Sequence, residues 1–149
     1  MARRSWAGVS PELAPAPMAP PRPSDRCEMH AGNFFGAVPA GADAYTMRHI
    51  IHDVQDDRCL TILGNIRKVI PATGRLLLIE AVVPQGNDPS PSKLFDMFMM
   101  AFPDGLERTE AQFRALFDAS GFSLTEITPT ESPVSVIEAR PVGDAPTRS

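Results

Sequence analysis

The residues best suited to acid–base chemistry are one histidine and three acids that follow apolar segments. His52 and Asp53 end one apolar stretch, Glu80 ends another, and Glu107 lies in a glycine-containing loop. Because a histidine has an unperturbed pKa of about 6.5, it accepts a proton near neutral pH, and a neighbouring carboxylate stabilises the imidazolium that forms. The pattern therefore predicts a general base held by acids.

Each of these residues also has a purely structural interpretation. His52 could simply end a strand, with Asp53 capping the helix that follows, and Glu107 could be a solvated loop residue. Glu80 fits such an interpretation less well, because an unpaired acid at the end of a buried strand is costly. His49 is expected inside the strand that precedes His52 and is interpreted as mostly structural.

The elements that must position these residues alternate between strand and helix patterns. Strands are expected near residues 27–30 and over 42–47, 75–83, 124–128 and 135–139, and helices over 59–70 and 109–121. The first helix has apolar residues at i, i+3, i+4 and i+7 spacing and ends at Pro71, and the second opens with a capping box, Thr109–Gln112. Parallel strand–helix units that finish in an antiparallel hairpin predict an α/β sheet, with a ligand crevice at the carboxyl ends of its parallel strands. His52 and Glu80 both map to that edge.

Three segments differ in composition. Residues 1–26 contain six prolines interleaved with alanines, which predicts a disordered or loosely extended lead without regular helix or strand pairing. Residues 27–141 carry the periodic patterns and are expected to form one domain. Residues 142–149 are expected to be a flexible tail.

Charge and cysteine content exclude several classes of protein. A net charge of -4 over 149 residues gives no electrostatic reason to expect nucleic acid or an anionic membrane as a partner. No apolar run approaches the roughly 18 residues of a spanning helix. The two cysteines, Cys27 and Cys59, suggest neither a disulfide framework nor a metal site. A reducing, cytoplasmic location is the simplest expectation.

A dense group of methionines and phenylalanines lies between Lys93 and Phe102. A segment this rich in apolar side chains indicates a position in the core. The alternative is a pocket for a flat aromatic molecule, because methionine adapts to irregular shapes.

Several separated motifs, in order, resemble the carboxy-terminal part of a known enzyme family. They are Asn33–Phe35, Val38–Tyr45, His49–Asp53, Asp56–Cys59, Gly74–Glu80 and Glu107–Thr109. They resemble the S-adenosylmethionine-dependent O-methyltransferases of the plant caffeate and bacterial hydroxyneurosporene type, in one register from Asp25 to Val142. The resemblance implies a partial Rossmann-like methyltransferase sheet.

The resemblance also implies roles for the residues singled out above. His52 matches a base that deprotonates the hydroxyl of a small, often phenolic, substrate as its oxygen attacks the sulfonium methyl. Glu80 and Glu107 match the two acids that flank that base. Asp53 and Met99 match positions on the acceptor side.

The implied contacts to S-adenosylmethionine fall on Asn33, Phe34 and Arg48. Asn33 stands where the family has aspartate, so it can hydrogen-bond but supplies no charge, and Arg48 stands where the family has another basic residue, lysine. Val54 replaces the tryptophan that usually follows the His–Asp pair, which affects packing rather than the base.

Two features of the family have no counterpart in this sequence. No glycine-rich turn after a strand is present, and neither is the helical domain through which family members usually form homodimers. We therefore expect a truncated or frameshifted reading of a longer gene, and a chain that is marginally stable, aggregation-prone or dependent on a partner.

Two other functions compete with O-methyl transfer. One is a non-catalytic remnant or interaction module that does not bind cofactor alone. The other is a different α/β enzyme, a hydrolase or nicotinamide-dependent reductase, which is disfavoured because the sequence contains neither a GxSxG nor a GxGxxG motif.

Overall fold

A five-stranded mixed sheet organises the computed structural model, which describes residues 6–7, 31–99 and 104–143. The strands are β1 (Trp6–Ala7), β2 (Ala44–Arg48), β3 (Arg75–Glu80), β4 (Val82–Val83), β5 (Arg108–Thr109), β6 (Phe122–Pro129) and β7 (Ser135–Pro141). The helices are α1 (Asp56–Val69), α2 (Pro91–Met99) and α3 (Glu110–Ala119).

The main sheet has the order β1-β2-β3-β7-β6. Its first three strands are parallel, whereas β7 is antiparallel to both β3 and β6. The predicted α/β class, with parallel strands and a carboxy-terminal hairpin, is therefore confirmed. The crevice at the carboxyl ends of β2 and β3 is the edge that the sequence assigned to the site.

The apolar residues that recur at helical spacing in the sequence form the buried face of α1. The apolar stripe of α1 packs into the core through Cys59, Ile62, Leu63 and Ile66. Its acidic first turn and basic last turn complement the helix dipole, as predicted. The capping box that opens α3 is present, because Thr109 and Gln112 bond each other's backbone reciprocally.

The predicted long strand over residues 75–83 is wrong in one respect, because it is broken at Ala81 into two strands of different sheets. β3 ends at Glu80, and β4 pairs in parallel with β5, where Val82 lies opposite Arg108. This small second sheet carries Glu107 to the edge where Glu80 ends. The break therefore brings the two acids to one place.

Two expectations concern the amino-terminal segment. The absence of strand pairing in residues 1–26 is wrong for Trp6–Ala7, which pair in parallel with Ala44–Tyr45 of β2. The rest of the proline-rich lead, the strand near residues 27–30 and the tail from residue 144 lie outside the described residues.

None of the helices in the described ranges is both long enough and apolar enough to cross a membrane.

Candidate active site

Three side chains converge where β2 and β3 end. His52 lies in a 3₁₀ turn, Ile51–Asp53, that follows β2. Glu80 is the last residue of β3, and Glu107 comes directly before β5. Alternation along β3 puts Glu80 on its buried face, so the carboxylate points inward rather than into solvent.

Glu107 binds the imidazole of His52 directly. Nδ1 of His52 lies 2.9 Å from Oε1 of Glu107, and the histidine side chain is only 11% exposed. Because a carboxylate only accepts hydrogen bonds, this contact places the ring proton on Nδ1 and leaves the lone pair on Nε2. Glu107 is itself buried, so the interpretation of Glu107 as a solvated loop residue is wrong.

Glu80 holds His52 through the backbone. Its Oε1 accepts hydrogen bonds from the backbone N–H groups of Ile50 and Ile51, at 2.9 and 3.0 Å. These two bonds fix the turn that carries the histidine. Glu80 therefore acts on the ring by position and by charge, and the structure shows no direct hydrogen bond between the two side chains.

The pKa values at this edge follow from burial and charge. Burial opposes the charged imidazolium, but the hydrogen bond to Glu107 and the negative charges of Glu80 and Asp53 outweigh it and raise the pKa of His52 above 6.5. Burial also raises the pKa of Glu80 to about 7, against the opposing effects of His52 and the two backbone hydrogen bonds. Glu80 thus changes protonation near neutral pH, and His52 keeps its proton to a higher pH than a free imidazole does.

Asp53 lies on the open side of the histidine. Its Oδ1 is 3.4 Å from Nε2 of His52, and its side chain is 58% exposed. It does not cap α1, because the cap residue is Gln55, which makes no side-chain capping bond. The capping interpretation of Asp53 is therefore wrong.

His49 differs from the sequence expectation. It lies just after β2 rather than inside it, with a positive φ of 53°. Its ring centroid is 5.1 Å from that of His52. Burial, with the charges of His52 and Arg48, lowers the pKa of His49 below its usual value.

Arg108 is the main residue that the sequence analysis missed. It is fully buried, and its guanidinium donates to the backbone carbonyls of Ile51 and Val54, at 2.7 and 2.9 Å, and to Asp56, at 2.7 Å. These bonds tie the turn around His52 to the start of α1. An arginine next to Glu107 was visible in the sequence, but nothing there indicated that its partners are backbone carbonyls.

Two further contacts complete the support of this turn. The thiol of Cys59 donates to the carbonyls of Ile51 and Val54, and burial raises its pKa to about 11. The backbone N–H of Leu106 donates to the carbonyl of His52 at 2.9 Å. The loop before β5 is thus bonded to both the side chain and the backbone of the histidine segment.

The three residues expected at the cofactor have different surroundings. Asn33 is exposed, with its side-chain oxygen accepting from the N–H of Phe35 at 3.0 Å. Phe34 is buried in the core, and Arg48 is exposed at the end of β2. The structure does not bring these three into mutual contact through any hydrogen bond.

The methionine- and phenylalanine-rich segment forms helix α2, whose side chains are mostly exposed. Met99 is buried, but Leu94, Phe95, Met97 and Phe98 are exposed, so the core interpretation is wrong for this part of the helix. Met100 and Phe102 lie outside the described residues.

The family of the chain follows from comparison with known proteins. The pattern of the O-methyltransferase domain family matches residues 12–123. The chain therefore belongs to that family, as the motif resemblance predicted.

Relatives and solved structures agree with this assignment. The chain is 43% identical over 118 residues to the phenazine O-methyltransferase PhzM of Lysobacter antibioticus, covering 79% of this chain and 35% of that protein. It is 34% identical over 121 residues to a 3-amino-4-hydroxybenzoate 4-O-methyltransferase of Streptomyces cremeus, covering 80% and 33%. A solved structure that the chain resembles is CalO1, a methyltransferase in calicheamicin biosynthesis, in its SAH-bound form. The TM-score is 0.76 at 39% identity, and the match covers 80% of this chain and 35% of that one. The chain thus spans about one third of the length of these relatives.

Proposed function

We propose that this chain is the catalytic part of an O-methyltransferase that transfers a methyl group from S-adenosylmethionine to a hydroxyl of a small aromatic molecule, with His52 as the general base. The observation that carries the proposal is the 2.9 Å contact between Nδ1 of His52 and Oε1 of Glu107. It fixes the tautomer in which Nε2 can accept a proton. The names of the relatives, which include aromatic hydroxyl substrates, support the phenolic class.

The chemistry of the proposal is a single proton transfer coupled to methyl transfer. When bound, S-adenosylmethionine would supply the methyl group, with the sulfonium S–CH₃ bond breaking and S-adenosylhomocysteine leaving. Nε2 of His52 accepts the hydroxyl proton as the oxygen attacks, and Glu107 stabilises the imidazolium that results. When it is ionised, Glu80 adds to this stabilisation, and its backbone hydrogen bonds hold the turn in place.

The residues expected at the cofactor fit that role in part. Asn33 and Arg48 are exposed, and neither the amide N–H₂ of Asn33 nor the guanidinium of Arg48 donates to a described residue, so both have donors available for a ligand. The ring of Phe34 is buried and offers only limited surface. We assign Asn33 and Arg48 to the cofactor side, and Asp53 and Met99 to the acceptor side.

The test is methyl transfer from labelled S-adenosylmethionine to a panel of small phenols. We expect His52→Gln to abolish transfer, a loss on the order of 10²-fold or more. His30→Gln is the control, since the proposal gives His30 no role. Transfer that survives in His52→Gln would contradict the role of His52.

The alternative is a non-catalytic interaction module. The exposed apolar side chains of α2 favour it, because large exposed apolar patches mark contact surfaces. Calorimetry separates the two functions. An intact fold that binds no S-adenosylmethionine would select the interaction module.

A further inference from the structure

A second set of donors lies at the same edge of the sheet and includes a residue that the proposed reaction does not use. One ring nitrogen each of His49 and His52 and a carboxylate oxygen of Glu80 lie within 4.8 Å of one another. We propose that these three side chains form a Zn²⁺ site, and that the metal competes with proton transfer for His52.

Each of the three side chains keeps one atom for a metal. Nδ1 of His52 is bonded to Glu107, so Nε2 is the ring nitrogen that the proposal assigns to the metal. His49 makes no side-chain hydrogen bond to any described residue, and its ring lies against that of His52. Glu80 is fully buried, and its Oε2 has no hydrogen-bond partner. A buried carboxylate oxygen without a partner is costly, so it is suited to a cation.

The backbone brings His49 to this position. Its φ of 53° is uncommon for a residue other than glycine. The backbone N–H of His49 donates to the carbonyl of Ile79 at 3.3 Å, which ties the residue to the end of β3 next to Glu80. The local conformation therefore turns the ring toward the edge that carries the other two donors.

The donor set determines the metal class. Two imidazoles and one carboxylate are the ligands of many exchangeable zinc sites, and a fourth position remains open. Mg²⁺ and Ca²⁺ prefer oxygen ligands and are disfavoured. Zn²⁺ bonds of about 2 Å put tetrahedral ligand atoms roughly 3.5 Å apart, so the donors must close by about 1 Å. His49 is half-buried and makes no side-chain hydrogen bond to a described residue, so closing this distance breaks no hydrogen bond of its side chain within the described ranges.

Binding at this site has a consequence for His52. A ring nitrogen that ligates the metal cannot also accept a proton from a hydroxyl. Zn²⁺ is therefore expected to inhibit methyl transfer. The metal site itself does not depend on that reaction, since its ligands and its affinity are measured without a substrate.

The experiment is calorimetric titration of the untagged, chelator-treated full chain with ZnCl₂. We expect one Zn²⁺ per chain, and an affinity at least about 10-fold lower in His49→Asn, since even the loss of an outer-shell partner has that effect. Asparagine tolerates a positive φ, so this variant keeps the backbone conformation. Glu80→Gln should weaken binding in the same way, whereas His30→Gln and a titration with MgCl₂ are the controls.

A second readout covers the case in which a variant does not fold. In the wild-type chain, nitrogen NMR of the imidazoles should show Zn²⁺-induced shifts at His49 and His52 but not at His30. Shifts confined to His30, equal Zn²⁺ affinity in His49→Asn and wild type, or no binding at all would each overturn the site.

Discussion

Two acids act on His52 in different ways. Glu107 bonds the ring, at 2.9 Å, whereas Glu80 bonds the backbone of the turn that carries it. The first contact sets the tautomer and the charge of the imidazole, and the second sets its location. Removal of Glu107 should therefore change the pKa of His52, whereas removal of Glu80 should also loosen the turn that carries it.

Glu107→Gln should lower the pKa of His52. The hydrogen bond and charge of Glu107 raise that pKa against the effect of burial, and glutamine keeps an oxygen acceptor but loses the charge. Since the folded-state pKa falls, His52 becomes neutral at lower pH in the variant than in the wild type. NMR titration of the His52 ring in the presence of a chelator measures the change.

The control for this titration is Glu110→Gln. Glu110 is an exposed acid on α3 that pairs with Arg114. It should leave the pKa of His52 unchanged. An unchanged His52 pKa in Glu107→Gln would show that the contact seen in the structure does not govern the base.

At the scale of single residues, the sequence predicted His52 and its acids. It did not predict the hydrogen bonds that hold the turn around His52. An acid after the apolar residues of β3 is visible in the sequence, because burial without a partner is costly. The bonds of Arg108 to the carbonyls of Ile51 and Val54 have no such signal, since every residue has a carbonyl. His49 was misplaced because its positive φ ends the strand at Arg48, although the apolar Ile50 and Ile51 follow in the sequence.

At the scale of elements, the turn after β2 is held to three separate parts of the chain. Glu80 contacts it from β3, Cys59 from α1, and Arg108 from β5. The periodicity of α1 and the capping box of α3 were predictable, because both are local patterns. The break at Ala81 was not, because it depends on pairing between β4 and β5, which are distant in sequence.

Arg108→Lys should destabilise the fold by about 1–3 kcal/mol, the cost of leaving buried polar groups unsatisfied. A lysine carries one ammonium group and cannot reach the carbonyls of Ile51 and Val54 and the carboxylate of Asp56 together. Urea denaturation measures the change in the free energy of unfolding. Arg114→Lys, in an exposed pair on α3, is the matched control and should cost well under 1 kcal/mol. Equal losses in the two variants would contradict the role given to Arg108.

At the scale of the whole molecule, α2 presents apolar side chains to solvent. Leu94 is 73% exposed and Met97 is 70% exposed. From the sequence we expected a chain that is marginally stable or prone to aggregate, and the exposed side chains of α2 are one surface through which it would associate. Exposed apolar surface of this kind favours association.

The double variant Leu94→Glu and Met97→Glu should reduce self-association of the chain without lowering its free energy of unfolding. The substitutions add charge to an exposed face and remove no core contact. Sedimentation velocity over a range of concentrations measures association. Ala115→Glu, at an exposed position on α3, is the control for added charge. A wild-type chain that stays monomeric at every concentration would refute the expectation.

Gly105 lies between the end of α2 and the loop that carries Glu107. A Cβ at this residue would lie 2.6 Å from the backbone oxygen of Met99 and 2.9 Å from its Cε. The loop that carries Glu107 therefore runs against the end of α2 with no room for even one more carbon. A displacement of Met99 would therefore press on this loop, which carries the carboxylate that bonds the imidazole of His52.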